Sequence, residues 1–175
     1  MTVSLRLPAA ADYAVIAGWI ADAAACARWA GPQLAYPFDP LLLPQLLQVQ
    51  PGASYVLCQG DTDILGFGQY RLRRPGVAHL CRIAIAPQAR GRGLGKILCS
   101  LLLEDAVRAY GVSAATLRVY RDNPAARAIY AGLGFVEVEV ESTPEVLWMQ
   151  AQISRAGLAT PPLAADAAKP FSHQD

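Results

Sequence analysis

The stretch from Ile83 to Lys96 constrains the chain more than any other, because an apolar strand runs into three alternating glycines, Gly91, Gly93 and Gly95. A long helical pattern opens directly behind them, with Leu94, Ile97, Leu98, Leu101 and Leu102 at helical spacing. A strand that delivers a glycine turn to a helix N-terminus specifies an α/β unit. It also specifies an anion site. The first N–H groups of a helix lack intrahelical acceptors and sit where the helix dipole favours negative charge. Glycine lets the backbone approach such an anion closely. Arg90, Arg92 and Lys96 add attraction, so the expected occupant is a phosphate or diphosphate.

Spacing narrows the choice. A P-loop needs glycine where Arg90 stands and Ser or Thr where Ile97 stands. A dinucleotide fingerprint starting at Gly91 meets Lys96 in its sixth position, and no carboxylate lies near Ala114 and Ala115. Both readings fail. Further along, Leu117 to Tyr120 reads as a strand, Asn123 as an N-cap, and Pro124 as a first helical residue. Ile129 and Leu133 then share a face, and Gly134 precedes Phe135 at the helix end.

Arg90-x-x-Gly93-x-Gly95 resembles the acetyl-CoA pyrophosphate loop of the GNAT superfamily of N-acyltransferases, and the segment from Asn123 through Tyr130 to Phe135 resembles that family's closing motif. The order of elements fits the same family over residues 3–153. The resemblance implies an α/β (α+β) fold with a mixed, strongly twisted sheet of about seven strands flanked by helices. It implies acetyl-CoA as donor, with pantetheine lying where the central strands splay. Backbone groups of Ile83, Ala84 and Ile85 are then expected along the pantetheine arm. Those of Arg90, Gly91, Arg92, Gly93, Leu94, Gly95 and Lys96 are expected on the pyrophosphate. Tyr130 matches the residue that protonates the leaving thiolate, and a phenol with a pKa of about 10 is a donor at neutral pH. Asn123 is either a pantetheine contact or only the cap, and Arg121 and Arg127 are either solvated or near the adenosine phosphate. The acceptor is expected to be a primary amine, a small molecule in preference to a protein N-terminus, with a non-catalytic acyl-CoA sensor as the alternative. The oligomeric state stays open, a homodimer included.

The general base is the gap in this pattern. Many family members carry a glutamate on the strand before the loop, whereas Ala78-His79-Leu80-Cys81-Arg82 holds none. His79 titrates in the useful range and takes the expected role. Cys81 shares its face and invites a covalent reading, against the direct transfer usual in the family. Glu137, Glu139 and Glu141 alternate with valines, as on the solvated face of an edge strand or the wall of an acceptor groove. Trp29, Tyr36 and Phe38, in a proline-rich loop, are the expected acceptor-pocket aromatics.

Composition agrees with a folded enzyme of one domain. Of 175 residues, 54% are hydrophobic and 17% charged, and the net charge of +1 argues against a nucleic-acid partner. The four cysteines form no metal-binding pattern with the two histidines, and no metal is expected. Without a signal-like start or an apolar run of about 18 residues, the reading expects a cytoplasmic protein with no membrane partner. One helix is expected over residues 12–27, a strand over 135–140, and an Ala/Pro-rich mobile tail over 154–175.

Overall fold

A computed structural model describes residues 2–60 and 63–153 of the protein. The expected tail, 154–175, lies outside the described residues. Within them a seven-stranded sheet runs in the order β1-β2-β3-β4-β5-β7-β6. Strands β1 (Ser4–Arg6), β2 (Gly52–Gln59), β3 (Asp63–Arg74) and β4 (Val77–Ile85) pair antiparallel in succession. β5 (Ala114–Tyr120) lies parallel to β4, β7 (Val146–Gln152) antiparallel to β5, and β6 (Val136–Glu137) closes the far edge. The sheet is therefore mixed and matches the expected fold class.

Two irregularities position the site. The parallel ladder joins Val77–Leu80 of β4 to Ala114–Leu117 of β5 and then stops. Cys81–Ile85 and Arg118–Tyr120 part company, although β5 keeps β7 along its whole length. The second irregularity is a bulge. Between Gln69↔Cys81 and Phe67↔Ala84, two steps on β3 face three on β4, and Arg82 takes a left-handed φ of 51°.

Helices cover the sheet unequally. On the back face, α4 (Leu94–Tyr110) packs Leu98, Leu102 and Leu103 onto Tyr70, Leu80, Leu117 and Leu147. On the front, α1 (Ala10–Ala17), α2 (Ala23–Ala30) and α3 (Leu43–Leu46) help to enclose a smaller core around Ile16, Leu43, Leu47, Val56 and Phe67. Past that core, the front surface from Arg71 through His79 to Trp148 faces an open cleft.

The expected helix over 12–27 is two helices. Gly18 caps the first, and the Asp22 side chain accepts Ala25 N–H at 2.7 Å to start the second. At the entry to α1, Asp12 accepts the Ala9 N–H at 2.6 Å and pairs with Arg6. The expected strand over 135–140 is also shorter. β6 ends at Glu137, and Glu139–Glu141 forms a 3₁₀ turn, so the glutamates do not line one strand face. Glu137 pairs instead with Arg127 at 2.8 Å and Glu139 with Arg121 at 2.7 Å.

One buried carboxylate ties α4 to the sheet. Asp105 accepts the hydroxyls of Tyr70 at 2.7 Å and Tyr55 at 2.8 Å, and its second oxygen pairs with Arg108. Burial alone would raise its pKa, but the two tyrosines and Arg108 outweigh it and hold the group ionised below the usual range. Asp105→Ala leaves the fully buried Tyr70 hydroxyl without its acceptor. The expected loss is about 2–4 kcal/mol in urea unfolding, with a smaller loss for Asp105→Asn, which keeps an acceptor oxygen.

Candidate active site

The gap between β4 and β5 opens into a cleft of about 500 Å³. Its walls include Ile83, Ala84 and Ile85 on one side and Val119 and Tyr120 on the other. Among the described residues no strand pairs with this edge of β4 beyond Leu80, so part of its backbone is available to a ligand in extended conformation. Arg90 and Gly95 line the same cleft, which places the glycine turn at its rim.

Chain conformation prepares that turn for an anion. Gly93 occupies the N-cap of α4 at φ 74°, and a Cβ there would meet nothing within 4 Å. The space is open and only the backbone angle demands glycine. Gly95 is glycine for a different reason: its Cβ would lie 2.9 Å from Ile129 Cδ1, where α4 meets α5 (Pro124–Ala131). Among the described residues, the N–H groups of Gly91, Gly93, Leu94 and Gly95 have no protein acceptor. This row of free donors at a helix start suits a diphosphate in charge and spacing. Arg90 Nε donates to Ile85 O at 3.3 Å, and Lys96 lies exposed on the first turn of α4.

Tyr130 stands on the inner wall, 8% exposed and packed edge-to-face on Phe135. Its hydroxyl has no protein hydrogen-bond partner among the described residues. Burial, and then the nearby Cys99 thiol, raises its pKa, so the phenol keeps its proton. Asn123 also lines the cleft, with its Oδ1 accepting Ala126 N–H at 3.1 Å. It is the cap of α5, and its amide NH₂ stays available.

A second cleft of about 770 Å³ shares a wall with the first, including Trp29, Cys81, Arg82, Arg118 and Tyr120. Helix α2 bridges the shared opening. Trp29 Nε1 donates to Arg82 O at 3.0 Å, and Arg28 pairs with Asp122 at 2.6 Å while stacking over Tyr120. Of the expected pocket aromatics only Trp29 reaches the clefts. Tyr36 donates to Ala21 O at 3.1 Å and packs on Phe38, which joins the front core.

His79 forms part of the second cleft's floor and is only 5% exposed. Its Nδ1 lies 2.9 Å from Thr116 Oγ1, and its ring stacks on Trp148 at 5.2 Å. Burial, then Arg71, Arg73 and Arg118, lowers its pKa to about 3. Burial and the three arginines thus oppose the proton uptake that the expected base role requires. Cys81 fares no better as a nucleophile, since burial raises its pKa despite Arg82 and Arg71. Arg71, Arg118 and Trp148, none of them singled out by a sequence motif, line the same cleft. Alternation along their strands is the available signal, but only the register pairing Arg118 with Trp148 and Arg71 with His79 brings them together.

Comparison with known proteins agrees with this arrangement. The model of the acetyltransferase (GNAT) family matches residues 22–135. A mycothiol acetyltransferase of Streptomyces avermitilis is 32% identical over 90 residues, 51% of this chain and 29% of that protein. An L-2,4-diaminobutyric acid acetyltransferase of Nocardia farcinica is 35% identical over 85 residues, 47% of this chain and 43% of that one. The chain thus spans less than half the length of these relatives. Among solved structures, spermidine N-acetyltransferase from Vibrio cholerae, in complex with CoA and spermine, superposes with a TM-score of 0.70 at 18% identity, covering 86% of this chain and 95% of that one. A glycine turn at a helix start, a cleft between parting strands and a family match over 22–135 converge: the chain belongs to the GNAT family of acetyltransferases.

Proposed function

We propose that this protein transfers the acetyl group of acetyl-CoA to the primary amine of a small molecule, by direct attack and without an acyl-enzyme. The observation that carries the reading is the cleft between β4 and β5, with free backbone donors at its rim and the Tyr130 hydroxyl on its inner wall. Relatives whose names specify an amine or amino-acid acceptor support the small-molecule choice.

Acetyl-CoA supplies a thioester whose carbonyl carbon accepts the amine nitrogen. The N–H groups from Gly91 to Gly95 hold the diphosphate, and the free edge of Ile83–Ile85 aligns the pantetheine arm. Tyr130 donates its phenolic proton to the departing sulfur and regains one from the nitrogen that has attacked, with no competing protein acceptor for its hydroxyl among the described residues. The amine must arrive neutral, and no carboxylate on β4 takes its proton. The arginines of the second cleft do part of that work, because nearby positive charge lowers an ammonium's pKa. The remaining proton leaves to water.

Calorimetry with acetyl-CoA followed by a thiol-release assay over an amine panel tests the reading. Turnover of a small amine is the expected result, whereas binding with no turnover of any amine would point to the sensor alternative. Gly93→Val puts a branched side chain at a left-handed φ and into the anion's space. It should weaken acetyl-CoA binding at least about tenfold, a loss of roughly 1.4 kcal/mol or more. Tyr130→Phe removes a proton donor and little packing, so kcat should fall about 10²-fold while the acetyl-CoA Kd stays within about twofold. Parallel losses in both constants would remove Tyr130 from proton transfer.

His79 yields a pH signature in stability. Its folded pKa of about 3 lies below the ordinary 6.5, so between those values the unfolded chain binds a proton that the fold refuses. Stability therefore falls as pH drops from about 6.5 toward 3. His79→Gln should flatten this part of the urea-unfolding profile relative to the parent, and kcat/KM should show no inflection belonging to His79 near neutrality. An inflection lost in the variant would restore the base role.

A further inference from the structure

We propose that the acceptor carries a carboxylate as well as its amine, and that Arg71 and Arg118 receive this carboxylate in the second cleft. The inference rests on the acetyltransferase reading and names the class of its second substrate.

The second cleft is the acceptor's approach. It meets the first at Cys81, Arg82 and Arg118, beside the end of the β4–β5 ladder, so a molecule seated there reaches the thioester end of the pantetheine channel. Its charge is one-sided. Arg28, Arg71, Arg82 and Arg118 line it, against the single carboxylate of Glu141. Two of these arginines are already engaged: Arg28 with Asp122, and Arg82 with Gln69 Oε1 at 2.9 Å and Leu47 O at 3.3 Å. Arg71 and Arg118 have no carboxylate partner among the described residues. The Arg118 guanidinium lies 5.2 Å from the centre of the Trp148 ring, and Arg73 covers the same ring at 4.3 Å. Stacking restrains the Arg118 side chain while leaving the donor edge of its guanidinium free, and Arg71 stands opposite His79 on the neighbouring strand. A restrained fork of this kind matches a carboxylate in two parallel hydrogen bonds.

This positive charge does not serve the diphosphate of CoA. The glycine turn supplies that site, and Arg90 and Gly95 border the first cleft alone. Nor does the cleft suit a bare polyamine, whose ammonium groups would face Arg71, Arg82 and Arg118 against one glutamate, with Arg28 already paired to Asp122. A carboxylate-bearing amine resolves both demands. Its anion is attracted and oriented, and its ammonium sits in a field that favours the neutral, nucleophilic form.

The test is the thiol-release assay with matched pairs at low salt: L-lysine against cadaverine, L-ornithine against putrescine, L-tryptophan against tryptamine, with spermidine and phosphoethanolamine alongside. The carboxylate member of at least one pair should exceed its partner at least tenfold in kcat/KM, chiefly through KM, and the gap should narrow as salt rises. Arg71→Gln, which alters the second cleft alone, should shrink the gap severalfold, and Arg71→Gln with Arg118→Gln should bring the ratio near one. Thermal unfolding and acetyl-CoA affinity of each variant show whether the fold is kept. Equal or better turnover of the decarboxylated partners overturns the proposal and leaves the acetyltransferase reading standing. So does turnover confined to spermidine, a preference for phosphoethanolamine over every carboxylate, or a ratio that survives the double variant. Acetyl-CoA binding with no turnover of any carboxylate-bearing amine overturns it as well. Failure to bind acetyl-CoA overturns the acetyltransferase reading, and this proposal with it.

Discussion

The structure depends on where one ladder of backbone hydrogen bonds ends. Four residue pairs hold β4 to β5, and past Leu80 and Leu117 the strands separate. A strand edge left unpaired inside a protein is costly unless water or a ligand satisfies it. The chain accepts that cost in the middle of its sheet, where most folds are tightest. β5 stays rigid because β7 pairs with it to Tyr120, and β4 stays rigid because β3 pairs with it to Ile85. The gap is thus a feature of two supported strands; the first cleft opens from it, and the second meets the first beside it.

The two clefts present hydrogen-bond donors and positive charge by different means. At the glycine turn the donors are backbone N–H groups, fixed in place by the helix behind them and indifferent to pH. In the second cleft they are arginine side chains, of which Arg118 stacks on Trp148. The neutral His79 belongs to this second arrangement. Sandwiched under Trp148 and bonded to Thr116, it supports the ring on which the guanidinium groups rest. An ionised histidine there would repel the groups it helps to place. Asp105 does the converse on the back face, where its retained charge satisfies two tyrosines and an arginine.

Local signals were legible in the sequence, and long-range geometry was not. The glycine turn, the Asn123 cap and the helix carrying Tyr130 each follow from neighbours a few residues apart, and each stands where expected. The break between α1 and α2 was equally local, written in Gly18 and Asp22, but an unbroken apolar face masked it. His79 illustrates the limit. Its residue type suggests a base, yet its burial and three arginine neighbours come from β3, β5 and β7 register that no spacing along the chain encodes. The bulge at Arg82 is invisible for the same reason. By simple alternation Ile83 and Ile85 would share a face with His79 and Cys81. The extra residue turns them toward α4 instead.

The chain has three tryptophans, Trp19, Trp29 and Trp148, and all of them line the clefts: the first two border the cleft between β4 and β5, the last two the second cleft. Trp29 belongs to both, its indole nitrogen tied to the carbonyl of Arg82. Emission excited at wavelengths that only tryptophan absorbs therefore originates at the walls of these clefts. Any ligand that displaces water from either cleft changes the surroundings of an indole, so occupancy can be followed optically without a label, and the two clefts report through partly separate fluorophores.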